Sequence, residues 1–133
     1  LRRWAVLALV QPEWQVLCVD SVGKKVAFVR QVAAELGLPN LQAWHGQVQS
    51  LRLPLGADVV TSRAFASLAD FTAWTGHLLG PGAAWLAMKG RHPEDELKSL
   101  PASAEVFHVE PLHPPGLDAE RCLVWLRPRP SDV

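Results

Sequence analysis

Polar and charged residues follow four predicted β-strands at the points where those strands end. They are Asp20 after Trp14–Val19, Gly46–Gln49 after Leu41–His45, Ser62 and Arg63 after Ala57–Thr61, and Lys89–Arg91 after Ala83–Met88. In an open parallel sheet, ligands bind beyond the carboxyl ends of the strands. These residues are therefore the candidates for a binding site.

Asp20 has two interpretations. An acid between a strand and a helix is commonly an N-cap, which accepts a hydrogen bond from the first turn of the helix. The same acid also accepts hydrogen bonds from the ribose hydroxyls of a nucleotide cofactor. Both NAD and S-adenosylmethionine carry that ribose, so Asp20 alone does not distinguish them. The stretch Gln47–Gln49 is likewise either a plain polar loop or part of the same site.

The basic residues after the predicted strands differ in how strongly they indicate a binding site. Arg63 interrupts the apolar sequence ADVVTSRAFASL. Because a buried guanidinium without an acidic partner is costly, we expect Arg63 to pair with an anion or to line a wet cleft. Lys89 and Arg91 are compatible both with solvated loop charges and with contacts to RNA phosphates.

Periodic apolar residues predict helices between the strands. Trp4–Val10 indicates the end of a buried helix, closed by Pro12. A second helix is predicted to bury residues spaced by three or four, namely Val26, Val29, Ala33 and Leu36. The pair Ser67 and Asp70 forms a capping box that opens a third helix. Its predicted buried positions are Leu68, Phe71, Trp74 or Thr75, and Leu78.

Breaks in the pattern set the remaining elements. Gly80-Pro81-Gly82 predicts a sharp break before the strand Ala83–Met88, and Pro93 suits the first position of a short helix. The last two predicted strands, Ala104–Val109 and Cys122–Leu126, have no helix between them, so we expect them to pair antiparallel.

Alternating strands and helices predict an α/β fold with a parallel sheet, closed by that antiparallel hairpin. This is the Rossmann-like arrangement typical of S-adenosylmethionine-dependent methyltransferases. Because the final strand runs backwards, its first residue, Arg121, is expected at the same rim as the ends of the parallel strands.

Composition limits the class of protein. A chain of 133 residues with 49% hydrophobic and 20% charged residues suits one soluble globular domain over residues 1–133. The formal net charge is zero, so the molecule as a whole does not attract nucleic acid, and no apolar run is long enough to span a membrane. Cys18 and Cys122 stand in apolar runs, which suits free thiols in a reducing cytoplasm. No ligand cluster predicts a metal site.

Four segments, in order and with suitable separations, resemble a known family. They are VDSVGKKVAFVRQVAAELGL (Val19–Leu38), SRAFASLADF (Ser62–Phe71), MKGRHPEDEL (Met88–Leu97) and LDAERCLVWL (Leu117–Leu126). They look like the bacterial small-subunit ribosomal RNA guanine-N7 methyltransferases, known historically as glucose-inhibited division protein B. The resemblance runs from about Val10 to Leu126.

The resemblance implies a cofactor, a substrate and site residues. It implies S-adenosyl-L-methionine as methyl donor, 16S ribosomal RNA or the small subunit as substrate, and a cytoplasmic location without metal. Asp20 would bind the ribose of the cofactor, Val48 and Gln49 would face the adenine, and Arg63 would contact the cofactor. Lys89 and Arg121 match basic positions expected near the RNA. Gln49 departs from the family, which usually has glutamate at that position.

A larger departure lies at the beginning of the sequence. Relatives of this kind carry a first, central strand and a glycine loop of the form D-x-G-x-G-x-G-x-P-G before the helix that precedes Asp20, whereas Leu1–Trp4 reads LRRW. The domain is thus expected to lack its N-terminal part. We therefore predict that the 133-residue chain alone binds cofactor weakly and does not methylate RNA.

Two other functions remain open at this point. An NAD-dependent oxidoreductase shares the ribose-binding acid but ordinarily lacks the antiparallel closing hairpin. A non-catalytic remnant would keep some affinity for RNA through its basic rim, and that binding would weaken steeply with salt. The methyltransferase hypothesis requires Asp20, Gln49, Arg63 and Arg121 to surround one pocket.

Overall fold

Helices and strands alternate along the part of the chain that the computed structural model describes, residues 3–62, 67–90, 93–112 and 121–129. The helices are α1 (Arg3–Val10), α2 (Gly23–Glu35), α3 (Leu68–Thr75) and α4 (Glu94–Lys98). The strands are β1 (Val16–Asp20), β2 (Leu41–His45), β3 (Ala57–Ser62), β4 (Leu79–Gly90), β5 (Ala104–Leu112) and β6 (Arg121–Pro128). None of the helices in these ranges is long and apolar enough to cross a membrane.

The chain divides into two compact units, Leu1–Leu51 and Arg52–Val133. Each unit has a hydrophobic core of its own. The expectation of one domain over residues 1–133 stays a prediction.

In the first unit, β1 and β2 pair in parallel, with Val16 opposite Leu41 and Asp20 opposite His45. The buried core residues come from both helices, β2 and the loop before it, and are Ala8, Val29, Leu38 and Leu41. Asn40, only 5% exposed, fixes the connection between α1 and β1. Its side-chain amide donates to the carbonyl oxygens of Ala8 at 3.0 Å and Trp14 at 2.8 Å.

In the second unit, the strand order is β3-β4-β6-β5. β3 and β4 are parallel, whereas β6 runs antiparallel to both of its neighbours, β4 and β5. This confirms the predicted α/β architecture with an antiparallel closing hairpin. One face of the sheet packs against α3, and the buried residues are Leu68, Phe71, Trp85, Ala87, Ala104, Cys122, Val124 and Leu126.

Two details of the predicted helix faces need correction or resolution. Leu36 was expected in the core but is 45% exposed, because α2 ends at Glu35 and Gly37 turns the chain with φ 62°, so that Leu38 is buried instead. On α3, Thr75 rather than Trp74 is the buried residue. The Thr75 hydroxyl donates to the carbonyl oxygen of Phe71 at 2.6 Å and accepts from Nε1 of Trp85 at 2.9 Å.

The Gly80-Pro81-Gly82 sequence lies inside β4 rather than before it. β4 begins at Leu79, opposite Ala57, and its register shifts before Ala84 pairs with Val59. This shift in register accommodates Pro81, which has no N–H group to donate to the pairing of β3 with β4. Similarly, Pro93 is the N-cap of α4 and not its first helical residue.

Gly56 permits a close backbone approach at the start of β3. It has φ 74°, and a Cβ atom there would lie 2.5 Å from both the Cα and the nitrogen of Gly80. Gly82 has a similar φ of 72°, but a Cβ atom at that position would meet nothing within 4 Å. A side chain at Gly82 would meet only the cost of the left-handed conformation, whereas a side chain at Gly56 would also collide with the backbone of Gly80.

We expect Gly56→Ala to destabilise the second unit more than Gly82→Ala. Both variants place a side chain in the left-handed region, which costs about 1–2 kcal/mol, and only Gly56→Ala adds a collision with backbone. Urea titrations of both variants give the difference. Equal losses of unfolding free energy would show that the Gly56–Gly80 approach relaxes without cost.

Cys18 on β1 supports a prediction about pH. Burial raises the pKa of its thiol to about 11. Since the ordinary value is about 8.5, the native state retains the proton to higher pH than the unfolded state does. The stability due to this group is therefore complete below pH ~8.5 and declines as pH rises towards 11.

Alkylation by iodoacetamide, followed on the Cys18 peptide by mass spectrometry, measures this shift. We expect the native rate to reach half of its maximum only near pH 11, since the thiolate is the reactive form. The same peptide in concentrated urea should reach its plateau near pH 9 to 10. Coincident profiles in the two conditions would contradict the assignment.

Candidate functional site

Asp20 is the last residue of β1 and begins a tight turn into α2. Its Oδ1 atom accepts a hydrogen bond from the main-chain N–H of Val22 at 2.8 Å, and its carbonyl oxygen accepts from the N–H of Gly46 at 2.9 Å. Val22 is the N-cap of α2 and makes no side-chain cap bond, so the side chain of Asp20 fulfils a capping role just before the helix. An ionised carboxylate has about four acceptor positions, so this bond leaves others for a ligand. The capping and ligand-binding interpretations of Asp20 are therefore compatible.

His45, at the end of β2, supports the same turn. Its Nε2 atom lies 3.1 Å from the carbonyl oxygen of Ser21, which only accepts, so the ring donates this bond. Its ring also covers Gly23, where a Cβ atom would lie 3.4 Å from Cε1 of His45. His45 thus contacts the turn on both sides of Val22. Sequence reasoning treated this histidine only as the end of a strand and missed its role.

Val48 and Gln49 follow β2 in a short 3-10 turn, Val48–Ser50. Val48 is half-buried and Gln49 is exposed. β1 and β2 are parallel neighbours, so their carboxyl ends lie at the same edge of the sheet. Asp20 is the last residue of β1, and Val48 and Gln49 follow the end of β2. The first unit therefore brings three of the predicted cofactor-binding residues to the same edge.

In the second unit, Lys89 and Arg121 lie at one end of the sheet but on opposite faces. Lys89 pairs with Cys122 and Gly90 with Arg121 across β4 and β6. Successive side chains on a strand point to opposite faces. The side chain of Lys89 is buried on the helix-covered face, whereas Arg121 is exposed.

The ammonium of Lys89 forms an ion pair with Glu96 of α4, with Nζ and Oε1 3.0 Å apart. The same oxygen atom accepts a hydrogen bond from the N–H of Leu68 at 3.2 Å. The sequence pattern predicted a short helix near Pro93 but no partner for Glu96. The pairing of Glu96 with Lys89 is a contact between α4 and β4, and the spacing of the two residues in the sequence does not predict it.

Arg63 lies outside the residues that the structure describes, so its predicted contact with the cofactor stays a prediction. The shared pocket of Asp20, Gln49, Arg63 and Arg121 also stays a prediction. Among the described residues, no group of three or more His, Cys, Asp or Glu side chains could hold a metal ion.

Comparison with known proteins identifies the family. The profile of the family described as GidB, rRNA small subunit methyltransferase G, matches residues 5–124. This chain belongs to that family. Ribosomal RNA small subunit methyltransferase G from Acidovorax sp. (strain JS42) is 57% identical over 123 residues, which cover 92% of this chain and 54% of that relative. The protein of the same description from Bordetella avium (strain 197N) is 53% identical over 122 residues, covering 92% and 54%.

The chain thus spans about half the length of the curated relatives that it matches. The match agrees with the family resemblance read from Val10 to Leu126. An NAD-dependent oxidoreductase finds no support in these relatives.

Solved structures show the same fold. The structure of TrmN from Thermus thermophilus has a TM-score of 0.71 at 16% identity, with 93% of this chain and 39% of that chain covered. An rRNA methylase from Streptococcus thermophilus has a TM-score of 0.61 at 15% identity, with 93% and 78% covered. A SAM-dependent methyltransferase from Thiobacillus denitrificans, in complex with S-adenosyl-L-homocysteine, has a TM-score of 0.60 at 11% identity, with 85% and 75% covered.

The role of His45 in the family fold is open to a direct test. We expect His45→Leu to speed hydrogen exchange of the Val22 and Gly46 amides about fivefold, because the turn loses a hydrogen bond worth about 1 kcal/mol. His45→Gln retains a donor and should restore much of the protection. Gln42→Leu, an exposed position on the same strand, is the matched control. Unchanged exchange in His45→Leu would show that the turn holds without the ring.

Proposed function

We propose that this chain supplies the cofactor-binding edge and part of the RNA-binding surface of an S-adenosyl-L-methionine-dependent methyltransferase. The proposed reaction is methylation of guanine N7 in 16S ribosomal RNA, in the cytoplasm. The family supports the reaction class. The main structural support comes from Asp20. Its carboxylate accepts a hydrogen bond from the Val22 amide at the edge of the sheet where β1 and β2 end.

The geometry at Asp20 fits a ribose. One oxygen is fixed by the N–H of Val22 at 2.8 Å, which orients the carboxylate. The remaining lone pairs suit a cis-diol, since a carboxylate accepts and two hydroxyl groups donate. Such charge-assisted hydrogen bonds are roughly twice as strong as neutral ones. We therefore assign Asp20 to the two ribose hydroxyls.

Val48 and Gln49 are proposed to contact the adenine. Val48 provides an apolar surface for a ring, and the side-chain amide of Gln49 both donates and accepts hydrogen bonds. Gln49 lacks the negative charge of the glutamate usual in the family. A neutral amide gives up the stronger, charge-assisted bond but keeps the capacity to hydrogen-bond the base. Arg63 is proposed to contact the cofactor as well.

Arg121 is the proposed RNA contact of the second unit. It is exposed at the start of β6, opposite Gly90 at the end of β4. A guanidinium presents a planar set of donors that matches phosphate oxygens. Phosphate contacts of this kind orient a nucleic acid without reading its sequence.

The chemistry requires little of the protein beyond orientation. S-adenosyl-L-methionine, when bound, would supply a methyl group on a sulfonium: the lone pair of guanine N7 would form the new N–C bond as the S–C bond breaks, S-adenosylhomocysteine would leave as a neutral thioether, and the positive charge would pass to the guanine without loss of a proton. A general base is therefore unnecessary, and alignment of the two reactants is the main source of rate enhancement. In this chain, Asp20 and Val48–Gln49 would fix one reactant, and Arg121 would help to orient the other.

Paired ligands test the assignment of Asp20. We expect the chain to bind adenosine about tenfold more tightly than 2′-deoxyadenosine, because the deoxy compound leaves a charged acceptor without a donor. Asp20→Ala should remove most of that preference. Asp20→Asn keeps an acceptor for Val22 and loses the charge, so it separates the shape of the turn from the strength of the ribose bond.

Amide chemical shifts in an NMR titration detect even millimolar affinity and report where each ligand binds. S-adenosylhomocysteine should perturb the amides around Asp20 and Gln49 more strongly than NADH does. A preference for the ribose hydroxyl that survives Asp20→Ala would contradict the proposed site. Stronger perturbation by NADH would contradict the proposed cofactor.

A further inference from the structure

Three elements of the second unit meet at one carboxylate oxygen. Oε1 of Glu96, on α4, lies 3.0 Å from Nζ of Lys89 on β4. The same atom accepts the main-chain N–H of Leu68, the first residue of α3, at 3.2 Å. Glu96 thus connects a strand to the start of a neighbouring helix.

The ammonium of Lys89 is buried inside the second unit. The side chain of Lys89 is 8% exposed and that of Glu96 is 34% exposed, while Leu68 is fully buried. An ammonium removed from water to this extent needs an anionic partner close by. Lys89 also lies on the helix-covered face of the sheet, since it pairs with the buried Cys122. Its charge is directed inward, towards Glu96.

The bond to Leu68 matters because the first N–H groups of a helix have no partners within the helix. At α3, two side chains supply acceptors for them. Oγ of Ser67 accepts from the N–H of Asp70 at 3.1 Å, and Glu96 accepts from that of Leu68 at 3.2 Å. Both bonds satisfy N–H groups in the first turn of α3.

We propose that Lys89 is a positioning residue, which holds Glu96 in place and through it fixes the start of α3, and that it does not bind an RNA phosphate itself. α3 begins within the family-like segment Ser62–Phe71. The first turn of α3 therefore depends on Lys89 for its place. The inference rests on the proposed function only where RNA is used as a probe.

Hydrogen exchange at the Leu68 amide tests the proposal without any ligand. We expect Lys89→Met to speed this exchange about tenfold, although the substituted side chain does not touch the Leu68 N–H. Glu96→Gln should do the same, and the double variant should show little further effect. Lys98→Met removes an exposed lysine from α4 and should leave Leu68 unchanged.

A measurement that keeps Lys89 covers the case in which Lys89→Met does not fold. The ammonium signal of a buried, paired lysine exchanges slowly enough to be seen by ¹H–¹⁵N NMR. We expect this signal in the natural chain and its loss in Glu96→Gln. Its persistence in that variant, or independent effects of the two substitutions on Leu68, would overturn the proposal.

The salt dependence of RNA binding distinguishes a positioning lysine from a phosphate contact. For a 16S ribosomal RNA fragment, we expect Arg121→Met to lower the slope of log K against log salt by about 0.7–0.9, as the loss of one phosphate contact does. Lys89→Met and Glu96→Gln should weaken binding several-fold with the slope unchanged. A slope reduced in Lys89→Met as in Arg121→Met would overturn the proposal.

The outcomes also separate this inference from the proposed function. Absence of RNA binding by the natural chain would count against the RNA contact assigned to Arg121. The exchange rate of the Leu68 amide would still decide the role of Lys89.

Discussion

Strand pairing, parallel in the first unit and antiparallel between β4 and β6 in the second, is the constraint on which the candidate sites depend. Because β1 and β2 run in the same direction, Asp20 and His45 come to lie opposite each other at one edge of their sheet. In the second unit, β6 reverses direction beside β4, and this reversal places Arg121 opposite Gly90. Polar residues far apart in the sequence are thus collected where strands end, and the loops that follow need only be short.

Two carboxylates of similar exposure differ in the partners that they bond. Asp20 bonds the main-chain amide of Val22 in its own turn, and we propose that its remaining acceptor positions bind hydroxyl groups of a ligand. Glu96 receives both a buried ammonium and a helix N–H on a single oxygen atom, so it is committed to the protein. The cations differ in exposure, since Arg121 is exposed and Lys89 is buried. Solvent exposure thus distinguishes two cations that the sequence pattern placed together.

Local sequence signals predicted most of the elements. The strand Leu41–His45 was predicted with its observed bounds, and Ser67 caps α3 as its capping box indicated. Errors arose near the ends of elements, where the ideal period no longer applies. Leu38 is buried instead of Leu36 because the chain turns at Gly37, and Gly80-Pro81-Gly82 lies within β4 rather than before it. Periodicity describes an ideal helix or strand, whereas the ends of real elements are set by what they pack against.

The sequence alone determined the α/β class, the antiparallel closing hairpin, the family and the positions of Asp20, Val48, Gln49 and Arg121 at strand ends. These follow from periodicity, connectivity and matched strings, all of which are properties of the chain itself. The support that His45 gives to Ser21, and the shared oxygen of Glu96, were decided only by the tertiary structure. The bonds of His45 to Ser21 and of Glu96 to Leu68 join residues more than twenty positions apart, and their formation depends on strand register and helix placement that no local pattern encodes.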